Sequence, residues 1–392
     1  MKIIFYCQYV LGMGHFFRSL QIARALSAHD VTLVVGGQKV EVEVPDHVRL
    51  IRLPVLYMDE KFTRLISGEA GQSVRTVQKR RREILYRLME THRPDLFMVE
   101  LYPFGRTVFQ TELDPLLETI GSGAFGPVKR ICSLRDVLVE KRDPVEYEKR
   151  VLGKLNRLFD LLLIHSDGDF LPLDRTFTRV SDIRIPVHYT GFVTRKPGAG
   201  ARKRVREQHR IDTRDKLVVA SAGGGRTGYR LLSSVAEAFR LPPPDFRMRL
   251  ALFAGPFMDA DSFAALSRLE SPGITVRRFT KRLPDWLAAA DLSISMAGYN
   301  TCMDLLVMQM PALVYPYRRQ QEQPIRARKI LPILPMRILA EEDLAPRRMR
   351  RQIVEMLAHP PQKATANLDL AGALGTERFL KRWLGTENDS QY

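Results

Sequence analysis

The chain is 392 residues long, which is too long for one ordinary hydrophobic core and predicts two domains of roughly 150 to 200 residues. Hydrophobic residues make up 45% of the chain and aromatic residues 8%, a composition that excludes a disordered protein. The formal net charge of +17 predicts a surface that attracts anions, which include sugar nucleotides, anionic membranes and nucleic acids. No basic cluster belongs to a recognisable nucleic-acid-binding motif, so we expect no nucleic-acid partner.

Several features of the sequence predict where the protein is located and whether it binds a metal. The apolar runs stop well short of the roughly 20 residues that span a bilayer, and the N-terminus has no secretory cleavage site. We therefore expect a cytoplasmic protein, and we leave open a peripheral contact of its basic surface with the inner face of the membrane. Cys7, Cys132 and Cys302 lie far apart, and the eight histidines show no metal-ligand spacing. The sequence predicts buried free thiols and no metal site.

The first half of the chain alternates strand-like runs with helical periodicity. An apolar run at 2–8 ends in a glycine-containing turn, after which apolar residues recur at helical spacing. Further short strands are predicted at 31–35, 48–53, 96–99, 128–133, 161–164 and 187–191, with helices at 73–92 and 145–159. Such alternation predicts a parallel sheet, and we place a first Rossmann-like domain at 1–191.

The second half repeats this organisation. Residues 192–205 are rich in proline, glycine and charge, and we interpret them as a linker. Strands are then predicted at 217–220, 248–253, 274–277, 292–295 and 312–315, with helices between them. We place a second Rossmann-like domain at 206–392. The predicted fold is therefore α/β, with two parallel-sheet domains that face each other across a cleft.

The first candidate site is the turn from Gly12 to His15, between the first strand and the first helix. Glycines such as Gly12 and Gly14 let backbone N–H groups approach a ligand, and the helix N-terminus favours negative charge. The dinucleotide fingerprint GxGxxG fails here, because Phe17 stands where the third glycine should be. A histidine at the carboxyl end of a parallel strand can act as general base on an acceptor hydroxyl. A plain tight turn with a packed His15 is the alternative.

The second candidate site is a glycine-rich loop that follows a strand and opens a helix. It matches GxGxxG, but a nicotinamide site also needs an acidic residue at the end of the next strand. That strand ends instead in Ala254-Gly255-Pro256. We therefore favour a loop that binds a diphosphate over a plain tight turn. Its predicted ligand-binding residues are Gly223, Gly224, Gly225, Arg226 and Thr227.

The third candidate site is the segment 290–304, in which a strand runs through a glycine turn into a helix. A carboxylate one turn into that helix can accept both ribose hydroxyls, the helix N-terminus can hold phosphate, and amides can hold sugar hydroxyls. The alternative for Asp304 is an acid that only balances the helix dipole. The residues predicted to bind the donor here are Gly298, Asn300, Thr301 and Asp304, followed along the chain by Glu322 and Gln323.

These motifs resemble a known family. The order of a GxGH turn, a GGGxxG loop and the segment ADLxISxAGxNTxxDLLxxxxPALVYP closed by EQ is similar to MurG, the bacterial N-acetylglucosaminyltransferase family of peptidoglycan synthesis. The similarity is closer to a group of predicted bacterial glycosyltransferases related to MurG. It includes the segments 11–15, 100–106, 133–136 and 189–192. The resemblance implies the GT-B fold, a first domain for the acceptor and a second domain for a nucleotide sugar.

The resemblance also implies residue roles. His15 matches the histidine proposed to deprotonate the acceptor, and Asp304 matches the acidic residue that binds the donor ribose. Gly298, Asn300 and Thr301 match the turn that meets the diphosphate, and Gln323 matches a sugar-contacting glutamine. Two positions depart from the family. Asp304 is shorter than the usual glutamate, and Glu322 stands where a second glutamine is common, so the preferences for base and sugar need not transfer.

The expected function is a hexosyltransferase of class EC 2.4 that inverts the anomeric carbon, with a nucleotide sugar, expected to be a UDP-sugar, as substrate. No cofactor or metal is expected, because helix N-termini replace the metal at the diphosphate. The acceptor, whether lipid-linked, glycan or small molecule, is predicted to contact Gly12, Gly14, Glu100, Arg106 and Arg135. A surface ion pair is the alternative for Glu100 and Arg106. A sugar-nucleotide epimerase or a non-catalytic sugar-nucleotide-binding subunit remains as an alternative function.

Overall fold

The computed structural model of the chain describes residues 1–9, 13–58, 64–138, 142–242, 244–317, 321–362 and 366–385. These residues divide into two compact units. Unit 1 comprises the described parts of Met1–Val193 and Leu368–Tyr392, and unit 2 comprises those of Thr194–Asn367. Within the described ranges, no helix is both long and apolar enough to cross a membrane. Cys7, Cys132 and Cys302 are buried free thiols, as the sequence predicts.

Unit 1 is built on a seven-stranded parallel sheet. The strands of the sheet are β1 (Lys2–Gln8), β2 (Asp30–Gly36), β3 (Val48–Arg52), β6 (Leu96–Glu100), β7 (Lys129–Arg135), β8 (Leu161–His165) and β9 (Val187–Tyr189). A separate antiparallel pair is formed by β4 (Leu56–Met58) and β5 (Leu65–Ser67). The helices of the chain up to β9 are α1 (Gly14–Ala25), α2 (Val74–His92), α3 (Gln110–Gly121) and α4 (Pro144–Leu158). The strand order is β3-β2-β1-β6-β7-β8-β9.

The strands at the centre of this sheet are buried on both faces. In β1 every residue after Lys2 is buried, and β6 and β8 are buried throughout. Helices cover both faces of such a sheet, which is why these strands show continuous apolar runs instead of alternation. The strand order reverses between β1 and β6, because β1 leads to β2 on one side and β6 leads to β7 on the other. Ligands of open α/β sheets bind in the crevice at such a reversal, at the carboxyl ends of the strands.

Unit 2 repeats the architecture with six parallel strands. They are β10 (Lys216–Ser221), β11 (Met248–Phe253), β12 (Ile274–Arg277), β13 (Leu292–Ser295), β14 (Ala312–Val314) and β15 (Met336–Ile338). The helices are α5 (Ala201–Gln208), α6 (Tyr229–Arg240), α7 (Ala260–Ser267), α8 (Leu283–Ala289), α9 (Tyr299–Met308), α10 (Glu322–Ile330) and α11 (Pro346–Ala358). The strand order is β12-β11-β10-β13-β14-β15, so the reversal lies between β10 and β13. Two parallel-sheet α/β units are the fold class that the sequence predicts.

The domain boundaries differ from the predicted ones at the C-terminus. The last helix, α12 (Gly372–Trp383), belongs to unit 1 and packs against α1. Backbone hydrogen bonds fix the return of the chain, from Phe192 N to Asp369 O at 2.7 Å and from Gly372 N to Phe192 O at 2.9 Å. The predicted linker 192–205 also differs, because α5 begins within it at Ala201, continues to Gln208 and packs against α8. Periodicity indicates that a helix is amphipathic, but it does not indicate which sheet the helix covers.

Candidate functional site

His15 and Glu100 meet at the carboxyl edge of the unit 1 sheet. His15 is the second residue of α1, which follows β1, and Glu100 is the last residue of β6. Because β1 and β6 are neighbours at the reversal of strand order, the two side chains come together. His15 Nδ1 donates a hydrogen bond of 2.6 Å to Glu100 Oε1. The His15 side chain is 16% exposed and the Glu100 side chain only 1%.

Arg18 completes this arrangement from the next turn of α1. Its Nη2 donates to the same oxygen of Glu100, and its side chain is 2% exposed. A carboxylate only accepts, so the proton of the neutral imidazole is on Nδ1 and the lone pair is on Nε2. No hydrogen bond to Nε2 of His15 occurs within the described ranges. Sequence reasoning missed Arg18, although residues three apart on a helix share a face.

Burial and charge keep the imidazole neutral. Burial, together with the charges of Arg106 and Arg18, outweighs the effect of Glu100 and lowers the pKa of His15 to about 3. Burial alone would raise the pKa of Glu100, but the hydrogen bond from His15 and the nearby guanidinium groups lower it to about 2. At neutral pH this pair is therefore a neutral imidazole held by an ionised carboxylate, the arrangement of an oriented general base.

Glu100 does not lie where an acceptor could contact it directly. The sequence assigned Glu100 to acceptor binding or to a surface ion pair, yet the residue is 1% exposed beneath His15. Its position as the last residue of a central strand explains the difference, since both faces of β6 are covered. The buried Glu100 instead contacts His15 and Arg18.

The other predicted acceptor residues lie at the same edge of unit 1. Arg106 follows β6, Arg135 is the last residue of β7, and Gly14 is the first residue of α1. Gly12 lies outside the described residues. Arg106 has a left-handed φ of 59°, and its Nε is buried with no hydrogen-bond partner in the described part of the chain.

A second buried histidine lies further along the edge, and sequence reasoning did not find it. His165 ends β8 and is fully buried. Its Nε2 shares a hydrogen bond of 2.8 Å with Ser133 Oγ, and its Nδ1 one of 2.8 Å with Thr190 Oγ1. Burial, with Arg18 as a further cause, lowers the pKa of His165 to about 3. With both nitrogens engaged, His165 supports the edge and has no atom left for a substrate.

The glycine-rich loop of unit 2 owes its sequence to close backbone contacts. A Cβ on Gly225 would lie 2.7 Å from Ala254 O, and Gly225 has a φ of +94°. A Cβ on Gly228 would lie 2.0 Å from Ala222 Cβ. Both glycines are therefore required by packing. Around Gly223, by contrast, no atom lies within 4 Å of an added Cβ, so the loop presents an open backbone there.

Arg226 and Thr227 occupy the exposed end of this loop. Gly224 is partly exposed beside them. The guanidinium of Arg226 lies over the Phe257 ring at 5.8 Å, and Thr227 Oγ1 lies 3.8 Å from Met296 Sδ. The loop leads into α6, whose first turn contains no acidic residue. The helix N-terminus therefore keeps its partial positive charge, which favours an anion.

The start of α9, like that of α6, is a helix N-terminus that keeps its partial positive charge. Gly298 is its N-cap residue, no side chain caps the helix, and no acidic residue lies in its first turn. A Cβ on Gly298 would meet nothing within 4 Å. Asn300 is partly exposed and Thr301 is 8% exposed. Because β13 lies beside β10, this helix start and the Gly223 loop meet at the reversal of strand order in unit 2.

Asp304 lies deeper than the sequence predicts. It has no exposed surface, and both of its oxygens accept from Arg195, Oδ1 from Nε at 3.1 Å and Oδ2 from Nη2. Burial raises the pKa of Asp304, and the Arg195 guanidinium opposes that rise. The sequence gave Arg195 no role because proline, glycine and charge around it indicated a linker. The sequence predicts an accessible carboxylate at Asp304, whereas the structure has a buried ion pair with Arg195.

Glu322 and Gln323 begin α10. Glu322 is 7% exposed, and the side-chain oxygen of Gln323 accepts from Tyr317 N at 2.9 Å. One turn later, the fully buried Arg326 donates to Ala297 O at 2.9 Å and lies over the Tyr299 ring. Arg326 thereby ties α10 to the start of α9, a role that the sequence alone did not indicate.

A cavity of about 940 Å³ opens elsewhere in unit 1. It is lined by Gln38, Lys39, the β4–β5 pair and the residues up to Val74 at the start of α2. None of the predicted site residues lines it. Within the described ranges, no group of three or more His, Cys, Asp and Glu side chains could hold a metal ion.

Two sequence comparisons match this chain, each over only a part of its length. Residues 257–376 match the glycosyltransferase family 28 C-terminal domain, a region that contains Gly298–Asp304 and the start of α10. The chain is 24% identical over 242 residues to the Brucella anthropi "UDP-N-acetylglucosamine--N-acetylmuramyl-(pentapeptide) pyrophosphoryl-undecaprenol N-acetylglucosamine transferase". That match covers 59% of this chain and only 60% of the relative.

Structural comparison extends over nearly the whole chain. MurG from Acinetobacter baumannii is 12% identical, with a TM-score of 0.53 and coverage of 99% of this chain and 100% of that protein. The chain has a MurG-like GT-B fold. Phytolacca americana UGT2, complexed with UDP-2fluoro-glucose and pterostilbene, is 13% identical with a TM-score of 0.58, covering 98% and 94% of the two chains. The predicted resemblance to MurG is confirmed, and at these identities the structural likeness concerns the fold alone.

Proposed function

We propose that the chain is a hexosyltransferase that moves a sugar from a UDP-sugar to an acceptor hydroxyl, with inversion and without a metal ion or cofactor. The observation that carries the proposal is the His15–Glu100 hydrogen bond of 2.6 Å at the reversal of strand order in unit 1. In a MurG-like GT-B fold whose second half matches family 28, an oriented, partly exposed imidazole is suited to deprotonating a hydroxyl.

The proposed reaction is a single displacement. His15 Nε2 takes the proton of the acceptor hydroxyl, and the acceptor oxygen forms a bond to the anomeric carbon of the donor. The bond from that carbon to the diphosphate breaks, and UDP leaves with the electron pair. Glu100 stabilises the imidazolium that forms, because its carboxylate already accepts from Nδ1. One displacement from the opposite side inverts the anomeric configuration.

Unit 2 is proposed to bind the donor. Its support is the pair of open helix starts at α6 and α9, both without acidic residues in the first turn. Backbone N–H groups of Gly223, Gly224, Gly298, Asn300 and Thr301 would then stabilise the leaving diphosphate in place of a metal. The N–H of Gly225 donates within the loop to Ala222 O at 3.1 Å, so Gly225 supports the shape of the loop. Phytolacca americana UGT2 was solved with a UDP-sugar analogue, which favours UDP as the nucleotide. Arg226, Thr227, Glu322 and Gln323 are proposed to contact the phosphates and the sugar.

Asp304 is proposed to bind the ribose of the donor in place of its present partner, Arg195. Since Arg195 occupies both carboxylate oxygens, the two ribose hydroxyls would replace the guanidinium there. The released guanidinium then carries a positive charge close to an anionic ligand, which offsets the loss of the ion pair. The exchange makes Asp304 a ligand that becomes accessible only with the donor.

The acceptor is proposed to bind unit 1 through Gly14, Arg106 and Arg135, with Gly12 as a further contact. The Brucella anthropi relative is named for a lipid-linked pyrophosphoryl acceptor, and UGT2 was solved with the small molecule pterostilbene. Either class fits the proposal, and a lipid-linked acceptor would give the basic surface a peripheral place at the membrane.

The proposal is tested by offering the full chain a panel of UDP- and other nucleotide-activated sugars with a mixture of hydroxyl acceptors. Release of UDP together with a new glycoside of inverted configuration, detected by NMR, supports transfer. An isomerised sugar nucleotide would indicate an epimerase, and donor binding without turnover would indicate a binding subunit. Transfer should continue in excess EDTA; loss of transfer that magnesium or manganese restores would refute the metal-independent step.

A further inference from the structure

Three arginines lie at the His15 edge of unit 1, and one of them has no hydrogen-bond or ion-pair partner among the described residues. Arg18 is paired with Glu100. Arg135 has interactions of its own, as does the adjacent Asp136, which is 1% exposed. Arg106 differs: no ion pair or hydrogen bond involves its side chain within the described ranges, and its Nε is buried.

Packing and a backbone hydrogen bond fix the main chain at Arg106. Leu101 and Arg106 both adopt left-handed φ values, 67° and 59°, in the loop that follows β6. Between them Tyr102 and Phe104 are buried, and Phe109 N donates to Arg106 O at 2.9 Å. A non-glycine residue in this conformation costs free energy of order 1–3 kcal/mol, and such strain persists where packing fixes it, often at ligand sites.

Among the residues that the structure describes at this edge, the charges do not cancel. Near the ends of β1, β6 and β7, the positively charged groups are the guanidinium groups of Arg18, Arg106 and Arg135. The negatively charged groups there are the carboxylates of Glu100 and Asp136, and His15 is neutral. Among these residues one positive charge is in excess, and Arg106 forms no ion pair, although it lies close enough to Glu100 for their charges to interact. A half-buried cation without a partner favours an oxyanion, and a planar guanidinium with free N–H groups binds one in fixed geometry. A single excess charge matches a singly charged group better than a diphosphate.

We propose that Arg106 binds a singly charged oxyanion on the acceptor, a carboxylate or a phosphodiester, next to the hydroxyl that His15 deprotonates. This inference rests on the proposed function and names the class of acceptor. It has a consequence for catalysis. An oxyanion on Arg106 offsets a charge that disfavours the imidazolium form of His15, so an anionic acceptor makes His15 a stronger base. A neutral acceptor lacks this effect.

The test compares glycosides that differ in one charge. The full chain without donor is titrated by calorimetry with p-nitrophenyl β-D-glucuronide, with p-nitrophenyl β-D-glucoside, and with the methyl phosphodiester of that glucoside at O6. Charge-assisted hydrogen bonds predict that one anionic probe or both bind about 10- to 100-fold tighter than the glucoside. A preference for the glucuronide alone identifies a carboxylate, and a preference for the phosphodiester alone identifies a phosphodiester.

The matched variants are Arg106→Gln and Arg93→Gln. Arg93 also has a left-handed φ, 43°, but it is exposed and precedes β6 at the opposite end of the strand. Arg106→Gln should abolish the preference for the anionic probes, and Arg93→Gln should keep it. Arg106→Lys keeps the charge and should keep part of the preference, which covers the case in which Arg106→Gln does not fold. No preference in the unchanged protein, or a preference that survives in Arg106→Gln, overturns the proposal.

Failure of this inference is distinguishable from failure of the proposed function. His15→Ala removes the proposed base and leaves Arg106, so it should lose transfer and keep the anion preference. If transfer to neutral acceptors proceeds in an enzyme without anion preference, only the Arg106 proposal is wrong. If the preference is present and no sugar nucleotide gives a product, the transfer reaction is wrong while the anion site stands.

Discussion

The two units use the same architecture to present different chemistry. Each has a parallel sheet whose strand order reverses once. His15 and Glu100 lie at the reversal in unit 1, and the Gly223 loop and the start of α9 lie at the reversal in unit 2. In unit 1 the residues at the reversal are ionisable side chains, the partly exposed His15 at the start of α1 and the buried Glu100 at the end of β6. In unit 2 the surface at the reversal consists of glycines and helix starts, and its carboxylate is hidden in an ion pair. Changes of side-chain charge should therefore affect unit 1 most, and changes of backbone shape unit 2.

The largest expected effect comes from His15→Ala. Loss of a positioned base should lower kcat by roughly 10²–10⁴-fold. UDP affinity should remain unchanged, because the proposed donor residues all belong to unit 2. Steady-state kinetics and calorimetry with UDP measure the two quantities on the same preparation. Full activity would remove His15 from the mechanism, and an unfolded protein would show instead that the ring is structural.

Substitutions of two glycines test the prediction that unit 2 depends on the shape of its backbone. Gly225→Ala places a Cβ 2.7 Å from Ala254 O at a φ of +94°, so it should destabilise unit 2 by about 3 kcal/mol. Gly298→Ala, at a φ of −66° with open space around it, should leave stability unchanged. It should weaken UDP binding about tenfold, since the methyl group would stand in the proposed path of the diphosphate.

Intrinsic fluorescence separates these effects by unit. The two tryptophans are Trp286 in unit 2 and Trp383 in unit 1. In a Trp383→Phe background, urea unfolding followed at Trp286 reports unit 2 alone. Equal stability of the Gly225→Ala and Gly298→Ala proteins would contradict the distinction between a packed glycine and an open one.

A smaller effect, about 2 kcal/mol in the free energy of unfolding between pH 7 and pH 5, is expected from the titration of His165. Its pKa is about 3 in the folded chain against an ordinary value near 6.5. Below about pH 6.5 this histidine binds a proton in the unfolded chain but stays neutral in the folded chain. The free energy of unfolding therefore falls as the pH drops from about 6.5 towards 3. Between pH 7 and pH 5 this amounts to about 2 kcal/mol for one such histidine.

The measurement uses Trp383 fluorescence in a Trp286→Phe background, which reports the unfolding of unit 1. His165→Gln should lose about 2 kcal/mol less than the parent protein on going from pH 7 to pH 5. His15 acts in the same direction, so the variant keeps part of the slope. An unchanged slope in His165→Gln would show that His165 is protonated in the folded chain at pH 5.

Sequence reasoning predicted the features that depend on local pattern. Strand–loop–helix alternation and the GxGH turn were enough to predict two parallel-sheet domains and to place His15 at the end of the first strand. The arginine partners of Glu100 and Asp304 depend on packing over long separations, 82 residues for Arg18 and Glu100 and 109 for Arg195 and Asp304. Pairing of distant arginines with carboxylates has no local signature, so Glu100 was assigned to the acceptor and Arg195 to a linker. Arg18 is the exception, because helical spacing from His15 was a usable signal.

The smallest expected effect is on the donor side and concerns Asp304. If the ribose hydroxyls replace Arg195 on this carboxylate, Asp304→Asn should weaken UDP binding about tenfold, because a neutral amide accepts more weakly than a carboxylate. The control is Asp215→Asn, which also changes a buried, arginine-paired carboxylate of unit 2 but lies just before β10, at the opposite edge of the sheet. Each variant should lose stability of order 1–3 kcal/mol, because a guanidinium loses its charged partner. Calorimetric titration with UDP then separates the two: only Asp304→Asn should lose affinity. Equal affinities for UDP in both variants would mean that Asp304 holds Arg195 in place and never meets the ribose.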